Sequence, residues 1–392
     1  MSKQLIDRSP DLKKLRDEGY HIEIIDGYLL VRDVPYLDGS RELRLGILVS
    51  ALRTTGSEAA PPADHVVLFA GETPCDSTGA PLNKVIVDST PRQLNHNLTT
   101  HHRFSSKPAG GGAYKDYYDK MTAYVAILLS HAHAVDPTAN AQTFPVIRAT
   151  EDESVFHYLD TASSRYQITI ANNKLEQPKI AIIGVGGTGS YVLDLIAKTP
   201  VKEIHLFDPD SFYSHNAFRA PSAASIAELD ANPKKVAYFK DLYSKMRRGI
   251  VPHDYNVDAS NVDELQEMNF VFLCIDASDA KKVIVEALER FGVSFVDVGM
   301  GIELVDDSLN GIIRVTTSTL QRRDHFRTRV SLAEVPANDD YNRDIQVADL
   351  NALNAALAVM KWKKLCGFYL DYEKEHHSTY TIETNILLGE EQ

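Results

Sequence analysis

The rhythm of hydrophobic and polar positions changes about a third of the way along the chain. Over the first 19 residues, Leu5, Leu12 and Leu15 are spaced as on one face of a short helix. Residues 21–52 then hold three runs rich in branched apolar residues: H-I-E-I-I, Y-L-L-V-R-D-V and L-R-L-G-I-L-V. Asp26-Gly27 and Asp38-Gly39 part them, which predicts an antiparallel meander. Further strands are expected over 65–70 and 83–87. Across 117–135, Met121, Tyr124, Val125, Leu128 and Leu129 recur at helical spacing. An α+β organisation is therefore expected for residues 1–150, with 137–145 as a Pro-bounded linker.

Beyond residue 151 the pattern alternates. A lead-in helix and a short strand, S-S-R-Y-Q-I-T-I, are expected within 151–170. Residues 180–183 are continuously apolar, as in a strand covered on both faces. A helix over 190–198 and a strand over 203–207 follow. Helix 233–247, strand 254–257, helix 262–268, strand 270–275, helix 280–291 and strand 294–298 continue the alternation. It predicts an α/β class: a Rossmann-like, doubly wound, mainly parallel sheet. An antiparallel strand over 311–318, a charged crossover or lid over 321–344, an Ala/Leu-rich helix over 349–365 and a last strand over 379–388 complete the expectation. The expected domains are 1–150 and 151–392.

Composition narrows the class. At 392 residues the chain is long enough for two domains, and 44% hydrophobic with 24% charged residues is ordinary for a soluble globular protein. The formal net charge of −13 argues against a non-specific nucleic-acid binder. No run approaches the roughly 18 apolar residues of a membrane span. The first ten residues, M-S-K-Q-L-I-D-R-S-P, lack the apolar core of a signal peptide. Cys75, Cys274 and Cys366 are far apart, with no C-x-x-C pair. That points to a reducing, cytoplasmic setting and away from structural zinc. His96, His101 and His102 lie in a polar stretch without a cysteine or nearby acid to complete a ligand set, so a surface or partner-binding loop is expected there rather than a metal site. His131 and His133, two apart, cannot share a helix face.

The chemistry concentrates after the strand at 180–183. Gly184, Gly186, Gly187 and Gly189 form a turn that opens a helix, and Asp208 ends the next strand. Such glycines let backbone N–H groups reach a phosphate at a helix N-terminus, and an acid about 20 residues on can accept from ribose hydroxyls. NAD and ATP sites share this device. Asp276 follows the strand expected at 270–275, at the carboxyl end where ligand groups of doubly wound sheets sit.

Downstream segments separate the two nucleotides. D-P-D-S-F-Y-S-H-N-A-F-R, A-N-P-K-K, Y-N-V-D and F-L-C-I-D succeed one another after the glycine turn. Together they resemble the ThiF/MoeB/HesA family, the adenylating core shared with ubiquitin-activating enzymes, over about residues 160–392. The resemblance implies ATP and Mg²⁺. It implies adenylation of the C-terminal carboxylate of a ubiquitin-like protein or peptide, feeding a conjugation or sulfur-transfer-type pathway, with a conjugating enzyme as a further partner. It places Asp208 on the ribose, and Asn216, Arg219 and Lys234 on the phosphates. It places Asn256 beside the nucleotide, Asp276 on the metal, and Arg165 in the neighbouring subunit's site of a homodimer. The first 150 residues look like an accessory domain fused to prokaryotic members of the family.

Three departures bear on mechanism. Ala277 stands where the family carries Asn after the metal aspartate, and the zinc cysteines of many relatives are missing. The crossover, 316–348, has no cysteine for a thioester. Transfer straight to a partner's nucleophile is the favoured reading. The alternatives are Cys75, Cys274 or Cys366, or a hydroxyl among Thr316, Thr317, Ser318, Thr319, Thr328 and Ser331 with His325 as base. Two other functions stay open: a catalytically reduced binding scaffold, and a NAD-dependent oxidoreductase. The last accounts for the glycine turn and Asp208 but not for Asn216, Arg219, Lys234 and Asp276.

Overall fold

The computed structural model describes residues 2–95, 98–108, 110–276, 279–332 and 345–389. Contacts divide the chain into two compact units, Met1–Ile147 and Arg148–Gln392. Among the described residues no helix is long and apolar enough to cross a membrane.

The N-terminal unit begins with α1 (Ser2–Arg8) and α2 (Pro10–Asp17). A single helix is broken here because Pro10 cannot donate to the preceding turn and starts a new helix at its first position. Ser9 Oγ donates to the Leu5 carbonyl and accepts from Ala59 N–H. The strands of its main sheet are β1 (His21–Ile25), β2 (Tyr28–Leu37), β3 (Leu43–Ala51), β4 (Val66–Ala70), β5 (Ile86–Asp88) and β6 (His102–Ser105). They form an antiparallel sheet in the order β1-β2-β3-β4-β6-β5. Helix α3 (Tyr117–Ala132) buries Met121, Tyr124, Val125 and Leu128 in one core with Val31, Phe69 and Phe104. Residues 137–145 do not run free as a linker: Gln142 bridges Tyr20, and Phe144 N–H donates to the Gly19 carbonyl.

In this unit His101 Nδ1 accepts from Gly71 N–H, and His102 Nδ1 lies 2.9 Å from Ser89 Oγ. Both rings are held by the unit itself. His96 lies outside the described residues. Among those described, no group of three or more His, Cys, Asp or Glu is arranged to hold a metal ion.

The C-terminal unit opens with α4 (Thr161–Arg165) and α5 (Thr169–Asn173), so helix replaces the strand expected near residue 170. Ile170 stays exposed and finds no strand partner. Then follow β7 (Lys179–Ile183), α6 (Gly187–Ile196), β8 (Glu203–Phe207), α7 (Ser214–Ala217), α8 (Ile226–Asp230), α9 (Lys235–Tyr243) and β9 (Ile250–His253). A 3-10 turn (Val262–Glu267) leads to β10 (Phe270–Leu273), α10 (Asp279–Phe291), β11 (Ser294–Val305), β12 (Ser308–Ser318) and α11 (Phe326–Arg329). Helix α12 (Ala348–Leu365), β13 (His377–Thr381) and β14 (Ile386–Gly389) close the unit. The sheet order is β9-β8-β7-β10-β11-β12-β13-β14. The first five strands are parallel and the last three antiparallel. The chain thus comprises an α+β unit and a unit with a doubly wound, mainly parallel α/β fold.

Three of the boundaries that differ from expectation are set by strand pairing. Strand β9 lies four residues before 254–257, because Phe207 pairs with His253 and that register fixes where pairing stops. The last strand is two, reversed at 382–385. Strand β11 runs on to Val305, since β12 pairs with it along its full length. Part of the expected lid, 333–344, lies outside the described residues.

Candidate functional site

The strand order reverses between β7 and β10, and a doubly wound sheet opens its crevice at such a point. Here a cavity of about 290 Å³ is lined by Gly184, Gly186, Gly187, Asp208, Arg219 and Asp276, among others. Sterics demand the glycine turn. Gly184 has φ +84°, and a Cβ there would run into the Cys274 carbonyl. Gly189 faces inward, where a Cβ would occupy the Gly184 carbonyl oxygen. At Gly186, by contrast, nothing lies within 4 Å of a Cβ position. Gly186 also begins α6, and no side chain caps the helix's first N–H groups.

Asp208 is buried, and both its carboxylate oxygens work within the turn. Oδ2 accepts from Val185 N–H at 2.9 Å and Oδ1 from Asp210 N–H at 3.0 Å. Lys235 Nζ lies 3.4 Å from Asp208 and 2.7 Å from Asp210. Lys235, rather than Lys234, lines the cavity. The bridge between Ser211 and Lys234 turns the Lys234 side chain outward, where its Nζ donates to the Pro209 carbonyl.

Arg219 lines the cavity, and its Nε is buried with no partner among the described residues. A guanidinium nitrogen kept dry without an acceptor is a place for an anion. Asn216 does not line the cavity. Its Oδ1 accepts from Tyr213 N–H, closing the turn that presents Arg219. Asn256 is exposed, away from the cavity, and Arg165 is exposed on α4. Ala277 lies outside the described residues.

Helix α12 supplies what the sequence reading missed. Asn351 Nδ2 donates to the Arg219 carbonyl, and its Oδ1 accepts from Thr188 Oγ1 of α6. Asn354 and Gln346 line the cavity, and each has a buried side-chain oxygen without a partner among the described residues. Asparagines three apart in an otherwise Ala/Leu-rich helix were the available signal: fully buried amides need partners.

A second groove, about 720 Å³, adjoins the cavity through five shared residues, Ile275, Asp276, Val298, Gly299 and Met300. Lys281 and Arg314 line it, and both ion-pair with Asp297, which is wholly buried. The hydroxyls of Thr316, Thr317, Ser318 and Thr319 are buried outside both depressions. His325 Nε2 sits 3.0 Å from the Thr317 carbonyl, so this nitrogen carries its proton and is committed to the backbone. Ser331 alone of the candidate hydroxyls lines the groove.

Burial pushes all three thiols up. Cys366 reaches about 11, Cys274 shifts strongly because burial dominates beside Asp297, and Cys75 is raised by burial and then by Asp38 and Asp76. None is poised as a thiolate.

Residues 163–329 match the ThiF family model. This segment is a ThiF-family domain. Residues 10–161 match a family described as a domain of unknown function (DUF6791). Ubiquitin-like modifier-activating enzyme 5 from Aedes aegypti is 21% identical over 155 residues, covering 36% of this chain and 38% of that enzyme. The same enzyme from Drosophila grimshawi is 23% identical over 155 residues, with the same coverage. The chain therefore spans well under half the length of these relatives. Among solved structures, E. coli MccB is 16% identical with a TM-score of 0.44, covering 59% of this chain and 67% of that one. PaaA is 14% identical with a TM-score of 0.47, covering 78% and 99%. The ThiF domain holds the glycine turn, Asp208, Arg219, Lys235 and Asp276, while Asn351 and Asn354 come from beyond the matched segment.

Proposed function

We propose that the C-terminal unit uses ATP to adenylate the C-terminal carboxylate of a ubiquitin-like protein or peptide. One observation carries this reading: a polar cavity at the sheet's switch point adjoins, at Asp276 and Gly299, a groove that could admit a chain end. The residues fit a nucleotide. Gly186 leaves open space, α6 offers uncapped N–H groups, and Arg219 Nε is dry and unpaired. Asp276 is one carboxylate at the cavity edge, which suits Mg²⁺, an ion usually held by one or two carboxylates together with substrate phosphates. When bound, Mg²⁺ supplies charge neutralisation on the phosphates.

In the reaction a carboxylate oxygen bonds to the α-phosphorus of ATP and the bond to pyrophosphate breaks. Arg219 and Lys235 offset the charge on the phosphate oxygens, and Asp208 keeps the glycine turn in shape. With the thiols raised, the hydroxyls of Thr316 to Thr319 buried and the Nε2 of His325 committed to the backbone, the acyl-adenylate passes to a nucleophile of a partner, such as a conjugating enzyme. Arg165 lies outside the cavity of its own chain, which favours a homodimer in which it acts across subunits. Light scattering should then give twice the chain mass, and a strict monomer with full activity would refute that role.

The test is isotope exchange between pyrophosphate and ATP with a candidate ubiquitin-like protein present. Asp276→Ala should abolish exchange while the fold persists. Undiminished exchange in that variant would sink the metal assignment.

A further inference from the structure

Asn354 sits on α12 with 1% of its surface exposed. Its Nδ2 lies 3.2 Å from the Gly299 carbonyl. A carbonyl only accepts, so the amide nitrogen must face it, and the orientation of the side chain follows from chemistry. Oδ1 is thereby left as the unused end of an amide that lines the cavity, buried and without a partner among the described residues. A buried acceptor of this kind calls for a donor from a ligand.

The choice of donor is narrow. Phosphates and an ionised carboxylate carry no protons to give. Ribose hydroxyls and the adenine amino group could donate, but the acid suited to the ribose, Asp208, follows β8, the base extends beyond the sugar on the side away from the phosphates, and Gly299 belongs to β11. Three strand spacings, about 14 Å, separate those strands. Gly299 instead lines both the cavity and the groove, where an incoming chain would end. The donor that accompanies a peptide carboxylate at such a junction is the amide N–H of its own last residue.

We infer that Asn354 Oδ1 accepts the backbone N–H of the substrate's C-terminal residue, which makes Asn354 a specificity determinant for peptide carboxylates with a free terminal amide. This rests on the adenylation reading above. Chains ending in proline or another N-alkylated residue are rejected, because they bring no donor to a buried acceptor.

The test compares acetyl-Ala-Gly-Gly with acetyl-Ala-Gly-sarcosine, which differ by one methyl on that nitrogen, as substrates for ATP–pyrophosphate exchange by the full chain. The wild type should prefer the glycine peptide by about tenfold or more in kcat/KM. In Asn354→Ala the glycine peptide should weaken and the ratio should fall towards one. A residue that merely supports the fold would lower both peptides alike and keep the ratio. Equal use of the two peptides by the wild type overturns the inference without recourse to any variant, and so does a ratio preserved in Asn354→Ala. Exchange with neither peptide, nor with any carboxylate-ended protein, removes the adenylation reading and this inference with it. Exchange with the glycine peptide but no discrimination removes this inference alone.

Discussion

Gly189 and Gly184 approach so closely that a Cβ on Gly189 would take the place of the Gly184 carbonyl oxygen. Gly186, two residues past Gly184, faces open space instead. Gly189→Ala should therefore destabilise the C-terminal unit by about 1–3 kcal/mol through overpacking. Gly186→Ala should cost less than about 1 kcal/mol and act on ATP affinity instead. Urea unfolding and equilibrium binding of ATP separate the two effects. Equal unfolding midpoints for Gly189→Ala and the wild type would contradict the close approach.

The buried network under the groove makes a second, purely energetic prediction. Asp297 is 0% exposed, and Lys281, its partner, keeps only 3% of its side chain exposed. Removing the acid strands a dry ammonium, although Lys281 also donates to the Ile275 carbonyl. Asp297→Ala should lose about 3–5 kcal/mol. A shift below about 1 kcal/mol in chemical denaturation would show that water reaches Lys281.

Glu375 links α12 to the loop before β13. Burial alone would raise its carboxyl, but hydrogen bonds from Lys361 and Lys364 outweigh it and hold it at about 2, below an ordinary 4.5. A depressed folded-state value means the stabilisation is complete above about 4.5 and fades as pH falls towards 2. With solvent screening allowed for, on the order of 1–2 kcal/mol should disappear across that window. Glu375→Gln should be less stable at pH 7 and show a flatter acid limb. Superimposable acid titrations of the two proteins, followed by circular dichroism, would count against the pairing.

The cysteines give a negative prediction with a positive readout. With Cys75, Cys274 and Cys366 all held above their ordinary range by burial, iodoacetamide at pH 8 should label the folded chain at least about tenfold more slowly than the urea-unfolded chain. Replacing all three should leave pyrophosphate exchange intact. Rapid labelling of one thiol in the folded protein, with loss of transfer when it is replaced, would restore a catalytic cysteine.

The parallel sheet was legible because its signals are local. The run 180–183 is apolar on both faces, Asp208 ends its strand, and Gly184 and Gly189 have no alternative where a turn leaves no room for Cβ. The apolar run, the glycine spacing and the closing acid are read within a few residues of one another, so the sequence alone determined the doubly wound core and its glycine turn, although the wall that Gly184 meets is the distant Cys274 carbonyl. The rest depended on partners distant in the chain. Pairing of Phe207 with His253 moved β9, and the absence of a strand neighbour turned 169–173 into helix. Pro233-Lys234-Lys235 offers two lysines, and only the bridge from Ser211 decides that Lys235 faces the cavity. The expectation of an Ala/Leu-rich helix over 349–365 singled out neither Asn351 nor Asn354, whose partners, Thr188 and Gly299, lie more than 150 and 55 residues away in the chain. Periodicity says which face of a helix is buried. It does not say against what, and hydrogen bonds to distant backbone and side-chain atoms exist only once the tertiary structure has brought those atoms together.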